Sequence, residues 1–226
     1  LPFIWEVENR DAFKTVGDIF TQLAKMKRLP VHHLVTANTE ERKLPNGNSF
    51  YLPVTSLDVT NNIALTFLLC SGNPIGTIDL SNNLSLSWLS LFDTQQTSVD
   101  LSNNTFLNHL EIDQNSLTSI DLSNNLYLSL LSITSNQLTT LNVTVNSSLW
   151  HLNCNNNNLT SLDVSSNAAL TRLGCSDNQL TTLDVSNNVN LSSLQCENNE
   201  LTYLDLRNGN NLNMATNSGY SGFNLT

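Results

Sequence analysis

One leucine column runs through the chain at a fixed interval of 21 residues: Leu65, Leu86, Leu107, Leu128, Leu149, Leu170, Leu191 and Leu212. A carboxylate or its amide keeps the same interval at Asp58, Asp79, Asp100, Asp121, Asn142, Asp163, Asp184 and Asp205. A third column holds Cys70, Leu91, Ile112, Ile133, Cys154, Cys175 and Cys196. No insertion or deletion breaks the spacing. An ordinary globular domain has elements of unequal length, so a short and strict period demands a stack of equivalent coils in which each unit touches only its neighbours.

Within one coil the pattern is that of short strands. Leu162-Asp163-Val164 alternates apolar, polar, apolar, the period-2 signature of a strand with one face buried. A closely similar phrase returns after 11 residues and again after 10, as from Leu159 to Leu170 to Leu180, so two short strands per coil are expected. Asparagine closes each phrase, in one column from Asn62 through Asn83, Asn104, Asn125, Asn146 and Asn167 to Asn188. The second column contains Asn73, Asn115, Asn136, Asn157, Asn178 and Asn199. A side-chain amide donates and accepts at once, and so suits backbone groups left over where the chain turns inward. Leaving such a group unpaired costs about 1–3 kcal/mol.

These residues resemble the leucine-rich repeat family, whose unit reads Leu-x-x-Leu-x-Leu-x-x-Asn-x-Leu. The nested 10- and 11-residue phrases are most similar to the short 21-residue class of bacterial surface and secreted proteins, especially of the Bacteroidetes. The likeness covers residues 54–212, and "LTYLDLRNGNNLNM" from Leu201 to Met214 looks like the closing segment of such arrays. It implies a right-handed, mainly parallel β solenoid with little helix, an extracellular or cell-surface setting, and a role in binding.

The domain plan follows. Residues 1–49 form an N-terminal cap, residues 50–212 an array of about eight coils, and residues 213–226 a C-terminal cap or truncated tail. A solenoid leaves its core open at both ends and needs such caps. In "DAFKTVGDIFTQLAKMKR" the residues Phe13, Val16, Ile19, Phe20 and Leu23 share one helical face, so an amphipathic capping helix is expected over about 11–28. No apolar run approaches the roughly 20 residues of a membrane-spanning helix, and the first residues lack the pattern of a signal peptide.

Charge narrows the list of partners. The formal net charge is -10, and of nine Lys and Arg only Arg172 and Arg207 lie beyond residue 43, against 13 carboxylates from Asp58 onward. Such a surface repels a phosphate backbone, which argues against nucleic acid.

Two strands per coil give two outward faces. One repeats Ser/Thr-x-Asp-x-Ser/Thr with little change, as in Thr77-Asp79-Ser81 and Ser161-Asp163-Ser165. Its carboxylates, about 4.8 Å apart in stacked strands, would repel by about 0.9 kcal/mol in water. Hydroxyls and turn amides offset that; calcium along the row and an ice-binding face are the sharper alternatives. The other face changes at every coil. Its outward residues include Phe67, Leu69, Trp88, Phe92, His109, Glu111, Asp113, His151 and Arg172. Exposed aromatic groups on such a face mark contact with a partner, or shelter under the N-terminal cap. The repeat breaks once, at "FDTQQTSVD", where Thr94 stands for the expected Asn and Gln96 for the expected Leu, beside Trp88 and Phe92. Local rules tend to fail at functional sites.

Catalytic chemistry is not indicated. His109, Glu111 and Asp113 alternate along one strand, close enough to share a metal, but no fourth ligand has a matching spacing, so no metal site is expected. No Gly-x-Ser-x-Gly elbow appears and flat sheets supply no cleft. The cysteine column points inward, and in-register neighbours on parallel strands are poorly placed for bridging, so buried free thiols are expected. The expectation is therefore a non-catalytic binding module without cofactor. Its variable face, with Trp88, Phe92, His109, Glu111, Asp113, His151 and Arg172 as the contact residues, meets an extracellular protein; a polysaccharide partner and a structural spacer are the alternatives.

Overall fold

The computed structural model describes residues 41–43, 49–51 and 55–209. The expected helix over 11–28 and the C-terminal cap over 213–226 lie outside the described residues, as does the start of the array at 50–54 apart from the strand residues Ser49–Tyr51. Strands β1 (Glu41–Lys43) and β2 (Ser49–Tyr51) pair antiparallel, with Arg42 opposite Phe50.

From residue 55 the chain is a parallel β solenoid. Seven three-residue strands form one sheet: β3 (Phe67–Leu69), β4 (Trp88–Ser90), β5 (His109–Glu111), β6 (Leu130–Ser132), β7 (His151–Asn153), β8 (Arg172–Gly174) and β10 (Ser193–Gln195). Each pairs with its equivalent 21 residues away, so Trp88 lies beside His109 and His109 beside Leu130. The middle residue of each strand points inward: Leu68, Leu89, Leu110, Leu131, Leu152 and Leu173 are all buried. The columns named from the sequence pack around them, including Leu65 through Leu191, Cys70 through Cys175, and Val59 through Val185.

The opposite side differs from the expectation of a second strand in every coil. Ladder strands form there only as β9 (Thr182–Asp184) and β11 (Tyr203–Asp205), paired with each other. A local hydrogen bond recurs along this side, in coils with and without a ladder strand. The carboxylate of Asp58, Asp79, Asp100, Asp121 and Asp163 accepts the backbone N–H two residues on, at Thr60, Ser81, Ser102, Ser123 and Ser165, each at 2.9 Å. Asn142 does the same for Thr144 at 3.0 Å. Asp184 in β9 and Asp205 in β11 make the same bond, to the Ser186 N–H at 2.8 Å and the Arg207 N–H at 3.0 Å, so it does not decide where the ladder forms. These bonds also hold the exposed carboxyls of Asp58, Asp79, Asp100 and Asp163 below the usual range, the hydroxyl bond being the leading cause. Neighbouring carboxylates of the row oppose the effect at Asp79 and Asp121.

The two asparagine columns use their amides differently. In the first, each side-chain N–H2 from Asn83 to Asn188 bridges two backbone carbonyls of the preceding coil. Asn125 donates to Leu101 at 3.2 Å and Asn104 at 2.9 Å, and Asn104 to Leu80 at 3.2 Å and Asn83 at 3.0 Å. The Oδ1 atoms of this column from Asn83 to Asn188 are buried and meet no donor. In the second, both ends work: Asn136 donates to the carbonyls of Ile112, Ile133 and Thr134 and accepts from the Leu117 N–H at 3.0 Å. Just before it stands a residue with positive φ in every coil: Gly72, Asp93, Gln114, Ser135, Asn156, Asp177 and Asn198. Short polar side chains and glycine tolerate that left-handed conformation better than bulky ones.

Two successive turns close the edge that leads into each strand. In one coil the N–H of Asn104 bonds to Leu101 O and that of Leu107 to Asn104 O, both at 3.0 Å. The two residues inside the second turn, such as Thr105 and Phe106, are thereby pushed outward into solvent.

Candidate functional site

The seven-stranded face is built by the outward first and third residue of each strand. Its leading row reads Phe67, Trp88, His109, Leu130, His151, Arg172 and Ser193, in register across the sheet. The sequence-derived contact residues fall on it in two groups, separated by the half-buried Leu130.

The first group is centred on Trp88. Its ring stacks on the His109 imidazole, with centroids 3.7 Å apart and planes 19° from parallel, and lies 6.1 Å from the Phe67 ring. His109 Nε2 sits 3.0 Å from Glu111 Oε1. That bond, aided by the imidazole charge and the Ser90 hydroxyl, holds the Glu111 carboxyl below the usual carboxylate range against the opposing effect of burial. The Trp88 indole N–H is buried and finds no acceptor.

The second group joins His151 and Arg172 to Trp150, the residue just before β7. Trp150 meets the His151 ring edge-on at 5.4 Å, and the Arg172 guanidinium carbon lies 6.0 Å from the Trp150 ring centroid. That is the outer range of a cation–π contact. Burial, then the charges of Arg172 and His109, push the His151 imidazole below its ordinary value.

Asp113 and Phe92 stand apart. The Asp113 carboxylate accepts from the Ser132 hydroxyl at 2.8 and 2.9 Å and from the Thr134 N–H at 2.5 Å. Burial nonetheless raises its pKa. It acts as a clamp between adjacent coils, as Asn155 does by accepting the Ser176 N–H at 2.7 Å. Asn153 and Asn155 fold over Gly174, where an added Cβ would stand 2.7 Å from Asn153 Oδ1. Phe92 is exposed beyond β4 and joins none of the ring contacts among the described residues.

The break in the repeat is accommodated internally. Thr94 takes over part of the asparagine role, its hydroxyl donating to Leu91 O at 2.8 Å, while Asn115 reaches back to the same carbonyl at 2.7 Å. Gln96 is fully buried where other coils have leucine, and its amide donates to the Gly76 carbonyl while its Oε1 has no partner. Gln95 adds a second positive φ to this coil. The irregularity is thus absorbed by the core and the turn, and does not open a pocket at Trp88.

Among the described residues no three His, Cys, Asp or Glu converge to hold a metal. The cysteines are free thiols, Cys154 donating to Gly174 O at 3.3 Å. Burial pushes the Cys70 and Cys154 thiols up to about 12.

One surface was not singled out from the sequence. The turn edge carries exposed Ile63, Leu84, Phe106, Leu126, Tyr127 and Trp150. The signal was present: the column Ala64, Ser85, Phe106, Tyr127, Ser148, Ala169 and Asn190 turns aromatic in two successive coils. Reading only the outward strand positions passes over it.

No protein-family model and no curated protein matches the chain. Solved structures do resemble it. The functional domain of InlJ from Listeria monocytogenes, described as including a cysteine ladder, is 35% identical with a TM-score of 0.64, over 67% of this chain and 36% of that one. A leucine-rich repeat protein of Leptospira interrogans is 24% identical with a TM-score of 0.62, over 68% and 46%. The internalin InlF of Listeria monocytogenes is 23% identical with a TM-score of 0.55, over 65% and 49%. The matched region spans less than half the length of each.

Proposed function

We propose, from the premise that this chain is a leucine-rich repeat solenoid of 21-residue turns, that it is a non-catalytic recognition module whose seven-stranded face binds a protein partner. The observation that carries the reading is the composition of that face. Its two groups, Phe67–Trp88–His109–Glu111 and Trp150–His151–Arg172, each join aromatic rings to ionisable side chains. Tryptophan and arginine are the residue types that dominate protein interface energetics, and the mixed charges suit a protein surface better than a neutral polymer. The solved neighbours include internalins and other leucine-rich repeat proteins, which supports a binding role. The cysteine ladder named for InlJ has a counterpart in Cys154, Cys175 and Cys196, one per coil.

A cell-surface or secreted setting and a part in adhesion belong to the same proposal. The abundance of Asn, Ser and Thr with little charge is consistent with it, and no helix among the described residues is long and apolar enough to cross a membrane. A non-catalytic role is supported by the engagement of the ionisable groups in hydrogen bonds within the face: Glu111 with His109, and Asp113 with the Ser132 hydroxyl and the Thr134 N–H. The test is quantitative capture of surface proteins by the immobilised chain. Trp88→Ala with Arg172→Ala should lower capture at least tenfold, and Asp121→Ala on the opposite side should leave it unchanged. Equal capture by all three proteins would defeat the assignment of the face.

A further inference from the structure

The turn edge and the strand face are chemically opposite. Through the segments 60–66, 81–87, 102–108, 123–129, 144–150, 165–171 and 186–192, which form this edge, there is no Asp, Glu, Lys, Arg or His. In a chain with 19 carboxylates and a net charge of -10, an edge without a single acidic or basic side chain over seven coils has nothing to steer or pair with a charged partner. What it offers is apolar surface set among neutral hydrogen-bonding groups.

At its centre Phe106 and Tyr127 occupy equivalent turn positions in adjacent coils and are 61% and 62% exposed. Their ring planes are 4° from parallel with centroids 6.3 Å apart. The arrangement is held by the backbone, since each ring lies inside a turn closed by an asparagine carbonyl and a leucine N–H, Asn104–Leu107 and Asn125–Leu128. Three residues before each ring in sequence, the exposed amides of Asn103 and Asn124 donate to a carbonyl of the preceding coil, at 3.2 and 3.1 Å.

We propose that this edge is a second binding surface, taken by a neutral polysaccharide whose sugar rings lie on Phe106 and Tyr127. The C–H faces of a pyranose carry slight positive charge and pack on the negative faces of aromatic rings. Its hydroxyls donate and accept, and side-chain amides answer both needs without charge. A repeating polymer also matches a repeating edge, because successive sugars meet successive coils. The proposal does not depend on the strand face, which uses other residues and is directed at a protein.

The test is affinity electrophoresis of the full chain in gels containing, separately, a soluble β-linked glucan, an α-linked glucan, a mannan, a xylan and polygalacturonate. At least one neutral polymer should retard the chain, and the acidic one should not. Phe106→Ser with Tyr127→Ser, which copies the serine of neighbouring coils at Ser85 and Ser148, should weaken retardation at least tenfold at an unchanged urea midpoint. Trp88→Ala should leave it intact, which separates a failure of this surface from a failure of the strand face. The proposal is overturned if no neutral polymer retards the chain, or if the double variant is retarded as strongly as the parent. It is equally overturned if sedimentation shows a dimer that the double variant abolishes, which would make the occupant a second copy.

Discussion

The two asparagine columns look alike in the sequence and carry different hydrogen-bond burdens. Asn125 supplies donors to two carbonyls and its Oδ1 accepts nothing, whereas Asn136 donates to three carbonyls and accepts the Leu117 N–H. Replacing Asn125 by alanine should therefore cost about 0.5–1.5 kcal/mol, the net worth of a lost hydrogen bond, because the Leu101 and Asn104 carbonyls keep the backbone N–H groups of Asn104 and Leu107. Asn136→Ala should cost more, since it strands a donor as well, and Asn125→Asp should exceed Asn125→Ala by placing a carboxylate against two carbonyl oxygens. Urea midpoints of the three variants give the order directly. An equal cost for Asn125→Ala and Asn136→Ala would show that the acceptor end contributes nothing.

At the level of elements, the inward columns were fully legible in the sequence because their periodicity is a property of burial alone. The second strand was not. The Leu-Asp-Val phrase and its aspartate bond are the same at Asp163, outside any strand, and at Asp184, inside β9, so neither marks where a ladder forms. Amide exchange should report the ladder. The amides of β4 through β8 should exchange slowly, while Ile78, Val99 and Ile120 on the aspartate side should exchange at least tenfold faster under the same conditions. Of the expected contact residues, Trp88, His109, Glu111, His151 and Arg172 lie on the seven-stranded face, where Leu130 divides them, while Phe92 and Asp113 stand apart, and the side-chain bonds that turn Asp113 into a clamp leave no mark in a triplet pattern. The broken coil at Thr94 and Gln96 was visible as a departure and misleading as to its use, because Gln96 turns inward. Restoring the consensus with Thr94→Asn and Gln96→Leu should raise stability by about 1–3 kcal/mol, through removal of a buried unpaired Oε1 and repair of the core. Chemical denaturation measures it, and a loss of stability would mean that the Gln96 bond to Gly76 outweighs both gains.

For the molecule as a whole, the aspartate row makes stability depend on acid. Asp58, Asp79, Asp100, Asp121, Asp163 and Asp205 have folded-state values below their unfolded ones. Their contribution is complete above the unfolded values, near 4, and is lost as pH falls through the lowered folded values. His151, also lowered, begins to withdraw its share earlier, as pH falls below the unfolded value near 6.5. Asp113 is raised and works in the opposite sense, its penalty easing on protonation. The sum favours a urea midpoint that is lower at pH 3 than at pH 7, and an unchanged midpoint would refute the role of the row. The first asparagine column sets a further rule, since every amide from Asn83 to Asn188 reaches the backbone of the coil before at one fixed offset. Deleting residues 116–136, one whole period, should leave a protein that folds cooperatively, whereas deleting 116–135 should not, as circular dichroism and thermal melts would show. Such a protein has a size that behaves as an integer: mutation can shorten or lengthen it only by whole copies, so the sequence changes that alter its reach are duplications and excisions in frame with the coil.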